Sequence, residues 1–330
     1  MINRRIVLAA RPQGVPRPED FRIESAPVPR PEAGEVLLRH TCLGLAPAAR
    51  LRMGEQASYR EPMALGDVVY GQAIGRVVES RDPGLPVGTS VMSVSGSWQE
   101  YSTAPGSNLV KVDETIAPPS VWLGALGTSG MTAYVGLLDL GQPREGDTVV
   151  VSAASGGVGS NVGQIARQMG CRVVGIAGGA AKVAHVTAQL GFDAAVDYRC
   201  ADFAEQLRAA CPSGVDVYFD NVGGAVRDAV WPLMNQGGRI AVCGLIAEYN
   251  DNRQDGPGWF QILSKRLKIH GFIMSDHLHR RADFLRDMAS WYRAGHIHVQ
   301  EDISDGLESV VPAFIRMLTG ENFGKTIVRI

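Results

Sequence analysis

The stretch Val149–Ser160, VVVSAASGGVGS, carries an apolar run straight into a glycine-rich turn. Its chemistry would be the binding of a dinucleotide. Ala154, Gly156 and Gly159 fall on the three glycine positions of the fingerprint, between a strand over 147–153 and a helix over Val158–Met169. That strand, turn and helix context is what the motif needs. Glycine at the second position lets the backbone approach a pyrophosphate, and at the third it lets the helix pack on the strand. The helix N-terminus then offers free N–H groups and a positive dipole end to the phosphates. Ala154 departs from the strict form, in which glycine makes the tightest turn.

The next strand, Arg172–Ala177, ends in Gly178 and Gly179. NAD-specific folds carry Asp or Glu there, about 20 residues beyond the glycines, to bind the ribose 2′-hydroxyl. No acid occurs from Gly170 through Gln189, and Lys182 lies just beyond the strand instead. An ammonium suits a 2′-phosphate that a carboxylate would repel, so the expected cofactor is NADPH rather than NADH.

The elements that position these residues follow from composition and pattern. The 330 residues suit two domains, and 45% hydrophobic content supplies two cores. A net charge of −2 leaves no basic surplus for nucleic acid. Five cysteines without a C-x-x-C pair argue against a disulfide framework and against a thiolate zinc site. The opening MINRRIVLAARP is too short an apolar run for a signal peptide, and nothing reaches transmembrane length. A cytosolic protein without membrane attachment is expected.

Most of the prolines precede residue 120, mixed with strand-like runs at Glu35–His40, Gly75–Glu79 and Thr89–Val94. This predicts a β-rich domain over 1–122, completed by 299–330. A helix is expected over Thr132–Leu140. Strands near 172–177, 194–197, 215–220, 238–243 and 267–274 then alternate with helices near 180–190, 202–210, 224–233 and 258–265. Gly170 and Gly191 sit where helix C-caps belong. The alternation predicts a Rossmann-type, doubly wound parallel sheet over 123–298. The last helix is expected at Arg281–Ala294, with Phe284, Leu285, Met288, Trp291 and Tyr292 on one stripe. Lys325–Ile330 reads as a strand returning to the N-terminal domain.

Ordered blocks through the chain add a resemblance: WQEY at 98–101, GTSGMTAY at 127–134, AASGGVGS at 153–160 and FDNVGG at 219–224. Further blocks are GRIAVCGLIAEYN at 238–250, HGFIMSD at 270–276, EDISDGLES at 301–309 and ENFGKTIVRI at 321–330. With them the chain resembles, nearly end to end, the zinc-independent medium-chain dehydrogenase/reductases. Within these it is similar to the leukotriene B4 12-hydroxydehydrogenase, prostaglandin reductase and curcumin reductase branch.

The resemblance implies an α/β fold with a GroES-like β domain beside the Rossmann domain. It also implies NADPH-dependent, zinc-independent reduction of the C=C bond of α,β-unsaturated ketones and aldehydes, in a homodimer joined at the Rossmann sheet edge. Gly156, Gly157, Val158 and Gly159 would contact the pyrophosphate, and Lys182 and Tyr198 the 2′-phosphate. Asn221, the segment Cys243, Gly244 to Tyr249, then Phe272, Ile273, Met274 and Asn322 would line the remainder. Tyr249 would stand near the substrate carbonyl, where its hydroxyl could stabilise the developing enolate.

The chain also departs from the pattern. Ala48 and Ser264 stand where relatives carry tyrosines, which reshapes the expected substrate pocket. Tyr59 is an outside candidate for the pocket wall, and Tyr101 is expected to pack after Trp98. Cys243 reads as a small buried hydrophobe, and His277-x-His279 and His296-x-His298 read as solvent-facing. A quinone reductase remains an alternative, and so does an NADPH-binding redox sensor or structural protein without turnover.

Overall fold

The computed structural model describes residues 1–55, 58, 60–249, 256 and 258–330. They form two compact units, Met1–Leu123 with Glu301–Ile330, and Gly124–Gln300. In chain order the strands are β1 (Ile2–Leu8), β2 (Phe21–Pro27), β3 (Glu35–Gly44), β4 (Gln72–Ser80), β5 (Ser90–Ser93), β6 (Tyr101–Pro105) and β7 (Leu109–Lys111). Next come β8 (Thr148–Ser152), β9 (Arg172–Ala177), β10 (Ala194–Asp197), β11 (Val215–Asp220), β12 (Met234–Val242) and β13 (Lys268–Gly271). The last are β14 (Glu301–Asp305) and β15 (Lys325–Arg329).

The first unit pairs β1 with β2 and builds a seven-stranded sheet ordered β14-β15-β3-β4-β5-β7, with β6 also on β3. The C-terminal strand β15 joins antiparallel to β3, pairing Ile327 with Gly44. Val36, Leu38, Val77, Leu85 and Val91 form one apolar cluster in this unit. Trp98 is fully buried against the rings of Phe21 and Phe314, at centroid distances of 5.8 and 5.0 Å. Phe314 belongs to a helix that the sequence pattern did not reveal. The last helix is Val310–Leu318, following the helix at Arg281–Arg293 that the pattern gives as the last one. Pro312, a residue type that breaks helices, lies within it. It lies in the first turn, however, where the backbone N–H has no intrahelical partner to lose.

The second unit holds the parallel six-stranded sheet, ordered β10-β9-β8-β11-β12-β13. The chain enters at the middle with β8, works out to β10, then crosses back to β11 and works out to β13. The order therefore reverses between β8 and β11, and open α/β sheets bind ligands at such a switch point, beyond the carboxyl ends of the strands. Val150, Val174, Ile176, Tyr218 and Ile240 of the strands pack with Phe203, Leu207, Val226, Val230 and Trp231 beside them. Gly170 and Gly191 have φ of +73° and +69°, as helix-ending glycines do.

Several boundaries differ from expectation: the strand expected near 238–243 begins at Met234, and the helix expected near 224–233 ends at Val230. The helix expected over 132–140 begins at Thr128, and from Gly136 to Gly141 it widens into a π turn. A Cβ on Gly136 would stand 2.5 Å from the Phe272 ring and 2.7 Å from that of Phe219, so both rings close on bare backbone there. Strand β13 ends at Gly271 rather than 274, and a 3-10 turn follows at Met274–Arg280.

Inside the first unit, the His40 ring lies between β3 and β6. Its Nδ1 donates to the Gln99 carbonyl at 2.8 Å and its Nε2 accepts from the Ser102 hydroxyl at 2.8 Å. The neutral ring is thus fully satisfied, and burial pushes its pKa down to about 4. Between pH 6.5 and about 4 the unfolded chain takes up a proton that the folded chain refuses, so stability falls as pH drops through that window. The effect from this one ring is about 3 kcal/mol over the whole window. Urea unfolding of the wild type and His40→Gln should show a loss of stability toward low pH that is shallower in the variant. Parallel pH profiles would contradict this.

Candidate active site

Strand β8 is buried along its whole length and delivers the chain into the glycine turn. The left-handed backbone falls on Ala153, at φ 50°. Ala154 follows, its N–H bonded to the Ile176 carbonyl at 2.9 Å and its methyl packed toward Gly175. The helix Gly159–Gln168 then leaves so close to the strand that a Cβ on Gly159 would meet the Ala153 carbonyl oxygen at 2.3 Å. Packing within the chain therefore demands glycine at 159. Gly156 differs: the nearest atom to a Cβ there is the Ala153 oxygen at 3.2 Å, and little else lies nearby. Among the described residues only Ala153 lies within 4 Å of that point, so the contact is milder than at Gly159 and leaves the backbone open to a close-lying ligand. A pyrophosphate fits that cradle. Of its neighbours, Gly157 accepts the Asn161 amide at 2.7 Å and Val158 accepts the Val162 N–H at 3.0 Å.

Across the switch point, Asp220 ends β11 almost fully buried. Its Oδ1 accepts the Tyr218 hydroxyl at 2.8 Å and the Val222 and Gly223 N–H groups at 2.9 Å each. The Ser152 hydroxyl, at the end of β8, stands 3.2 Å away. Burial raises the Asp220 pKa and these donors pull it back. Asn221 is pinned by the same serine: its N–H donates to Ser152 Oγ and its side-chain amide to the Ser152 carbonyl, both at 2.8 Å. The Asp220 carbonyl takes the N–H groups of Cys243 and Gly244, at 2.8 and 3.1 Å. One residue thus ties together the loops that carry Asn221, Cys243 and Gly244. Glu248 bonds to the Gly224 N–H at 2.9 Å and to Arg227 at 2.8 Å, which fixes the following loop against the helix Gly224–Val230. Tyr249 lies beside Glu248, and its hydroxyl accepts the Leu245 N–H at 3.3 Å.

At the far end of β9, Lys182 stands on the first turn of the helix Ala180–Ala188, and the Tyr198 N–H bonds to the Ala177 carbonyl at 3.2 Å. Phe272, Ile273 and Met274 follow β13. The Phe272 ring faces Phe219 edge-on at 6.3 Å, so that side chain serves the core. The Cys243 thiol is pushed up to about 12, by burial first and by the nearby Asp220 charge second, so it stays protonated. Asn322 belongs to the first unit, where its amide donates to the Gly324 carbonyl at 2.9 Å. Ala48, also there, opens the short helix Ala48–Leu51, and Ser264 is exposed in the second unit on the helix Trp259–Lys265. Tyr59 lies outside the described residues. Among the described residues, no three His, Cys, Asp or Glu side chains gather to hold a metal ion.

Sequence reading did not single out Ser152, Asp220 or Arg199. The acid ending the apolar run VDVYFD was the available signal for Asp220, because a carboxylate closing a buried strand needs donors around it.

A family model for the N-terminal domain of oxidoreductases matches residues 4–112, and one described as zinc-binding dehydrogenase matches 157–291. Over 99% of its length the chain is 49% identical to the NADPH-dependent curcumin reductase of Escherichia coli (strain K12), covering 97% of that protein. The chain belongs to the zinc-independent medium-chain dehydrogenase/reductase family. Another member, the NADP(+)-dependent 2-alkenal reductase of Nicotiana tabacum, is 37% identical over 99% of this chain and 97% of its own. The crystal structure of CurA from Vibrio vulnificus in complex with NADPH superposes with a TM-score of 0.94 at 46% identity, covering 99% and 98% of the two chains. The family frame is thus one of NADP-linked oxidoreductases, and the second matched segment begins within the glycine turn, at Gly157.

Proposed function

We propose that this protein uses NADPH to reduce the carbon–carbon double bond of α,β-unsaturated ketones and aldehydes. The observation that carries the reading is the open backbone cradle at Gly156, set at the switch point of a fold shared with an NADPH-bound relative. Curcumin and 2-alkenals, named for two relatives, share a double bond conjugated to a carbonyl, which sets the substrate class.

In this reading the Gly156 backbone, its N–H bonded to the Ala153 carbonyl at 2.9 Å, lies against the pyrophosphate, and Gly157, Val158 and Gly159 hold it through backbone N–H groups. Lys182 and Tyr198 receive the 2′-phosphate. Asn221, Cys243, Gly244, Phe272, Ile273, Met274 and Asn322 line the remainder of the cofactor. Bound NADPH would supply the hydride that adds to the β-carbon, and the α-carbon of the resulting enolate then takes a proton from water to give the saturated carbonyl compound. The chain supplies position and charge. Tyr249 donates a hydrogen bond to the enolate oxygen as charge develops there, and a hydroxyl that accepts a backbone N–H can donate at the same time.

Loss of dihydronicotinamide absorbance should be seen with enones and enals, faster with NADPH than with NADH. Tyr249→Phe should lower kcat by about 100-fold or more. Turnover of quinones but not enones would overturn the substrate class, and an unchanged kcat in the variant would return Tyr249 to loop support.

We further propose a cytosolic homodimer. The five cysteines are free thiols, as a reducing compartment keeps them. No described helix is long and apolar enough to cross a membrane. Strand β13 closes the sheet as an edge and is exposed throughout. Beside it in the chain, the helix Trp259–Lys265 presents Trp259, Phe260 and Leu263 at 85%, 75% and 73% exposure. An uncovered edge beside large apolar side chains favours pairing with a second copy. Light scattering should give about twice the 35.3 kDa chain mass, and a single-chain mass would refute the dimer.

A further inference from the structure

At the end of β9 the chain leaves the sheet through Gly178 and Gly179, the latter at φ +93°. Two side chains that follow β10 close on this turn. Tyr198 Cε1 lies 2.8 Å, and Arg199 Nε 3.0 Å, from where a Cβ on Gly178 would stand. Arg199 Nη1 lies 3.8 Å from the same point on Gly179, and the guanidinium rests over the Tyr198 ring at 5.8 Å. The backbone beneath is clipped by Asp197, which accepts the Arg199 N–H at 2.9 Å and also the Gly179 N–H. Those two bonds, with the Arg199 charge, hold the Asp197 carboxyl below the ordinary range.

The corner therefore contains an ionised acid after all, contributed by the third strand of the unit rather than the second. In dinucleotide folds this end of the second strand faces the adenosine ribose. A carboxylate there repels a 2′-phosphate and suits a 2′-hydroxyl, and Lys182 alone must offset both the carboxylate and the phosphate. We propose that Arg199 is the specificity-determining residue that turns this corner toward NADPH, offsetting Asp197 and binding the 2′-phosphate beside Lys182. Its planar fork matches phosphate oxygens, and the Tyr198 face steadies it. The assignment rests on the NADPH reading above.

Calorimetric binding of adenosine 2′,5′-bisphosphate and of 5′-AMP, without any turnover, tests it. Wild type should prefer the bisphosphate. In Arg199→Ala the bisphosphate Kd should rise by about 10- to 100-fold, as expected for loss of a charge-assisted contact. The 5′-AMP Kd should move by less than about 2-fold, because the side chain is exposed and the adenine and 5′-phosphate contacts are untouched. Arg199→Lys, which keeps charge but not the fork, should fall between. An Arg199→Ala protein that keeps wild-type affinity for the bisphosphate, or weakens equally toward both ligands, overturns the assignment. Wild type that fails to prefer the bisphosphate overturns the NADPH reading and the assignment with it.

Discussion

Asp220 stands where β11 ends beside β8, and a single one of its oxygens receives a tyrosine hydroxyl, two backbone N–H groups and a nearby serine hydroxyl. A carboxylate this deeply buried is costly unless it is so surrounded. Each donor stranded without it would cost about 1–3 kcal/mol, more together than most single contacts in a domain provide. The same residue's carbonyl takes Cys243 and Gly244, and its neighbour Ser152 pins Asn221. The loops at the switch point thus share one anchor, and the geometry of any ligand bound there depends on it.

Around this anchor the glycines divide by purpose. Gly159 and Gly136 are glycines because the chain's own backbone or rings would collide with a side chain. At Gly156 a Cβ would meet the Ala153 carbonyl at a less forbidding 3.2 Å. Internal packing explains the first two, and a pyrophosphate lying close would explain the third. Electrostatics divides in the same way: Cys243, half-buried, has its thiol held protonated by desolvation, so the sulfur beside the anchor is not a ready nucleophile.

The sheet was legible in sequence because short apolar runs, the buried Val-rich β8 and β9 above all, alternate with helical stretches. The expected strands at 172–177, 194–197 and 215–220 coincide with β9, β10 and β11. What escaped has physical reasons. Pro312 hid a helix by sitting in its permissive first turn, and the π turn after Val135 depends on rings contributed from distant strands. The site was legible as segments: the glycine turn, FDNVGG and the Cys243–Tyr249 loop all lie at strand ends in the second unit. Their bonding was not. Ser152 and Asp220 are 68 residues apart, and a search for an acid after β9 cannot see Asp197 or Arg199 arriving from β10. Tyr249 was read toward a substrate, whereas one bond of its hydroxyl is spent on Leu245 within its own loop.

Hydride leaving this switch point goes to a carbon–carbon double bond rather than to a carbonyl. The most direct measurement is product analysis by NMR after turnover of a simple enone with NADPH deuterated at the nicotinamide C4. The account predicts a saturated ketone with deuterium on the β-carbon and the carbonyl intact. An allylic alcohol with deuterium on the former carbonyl carbon would contradict it.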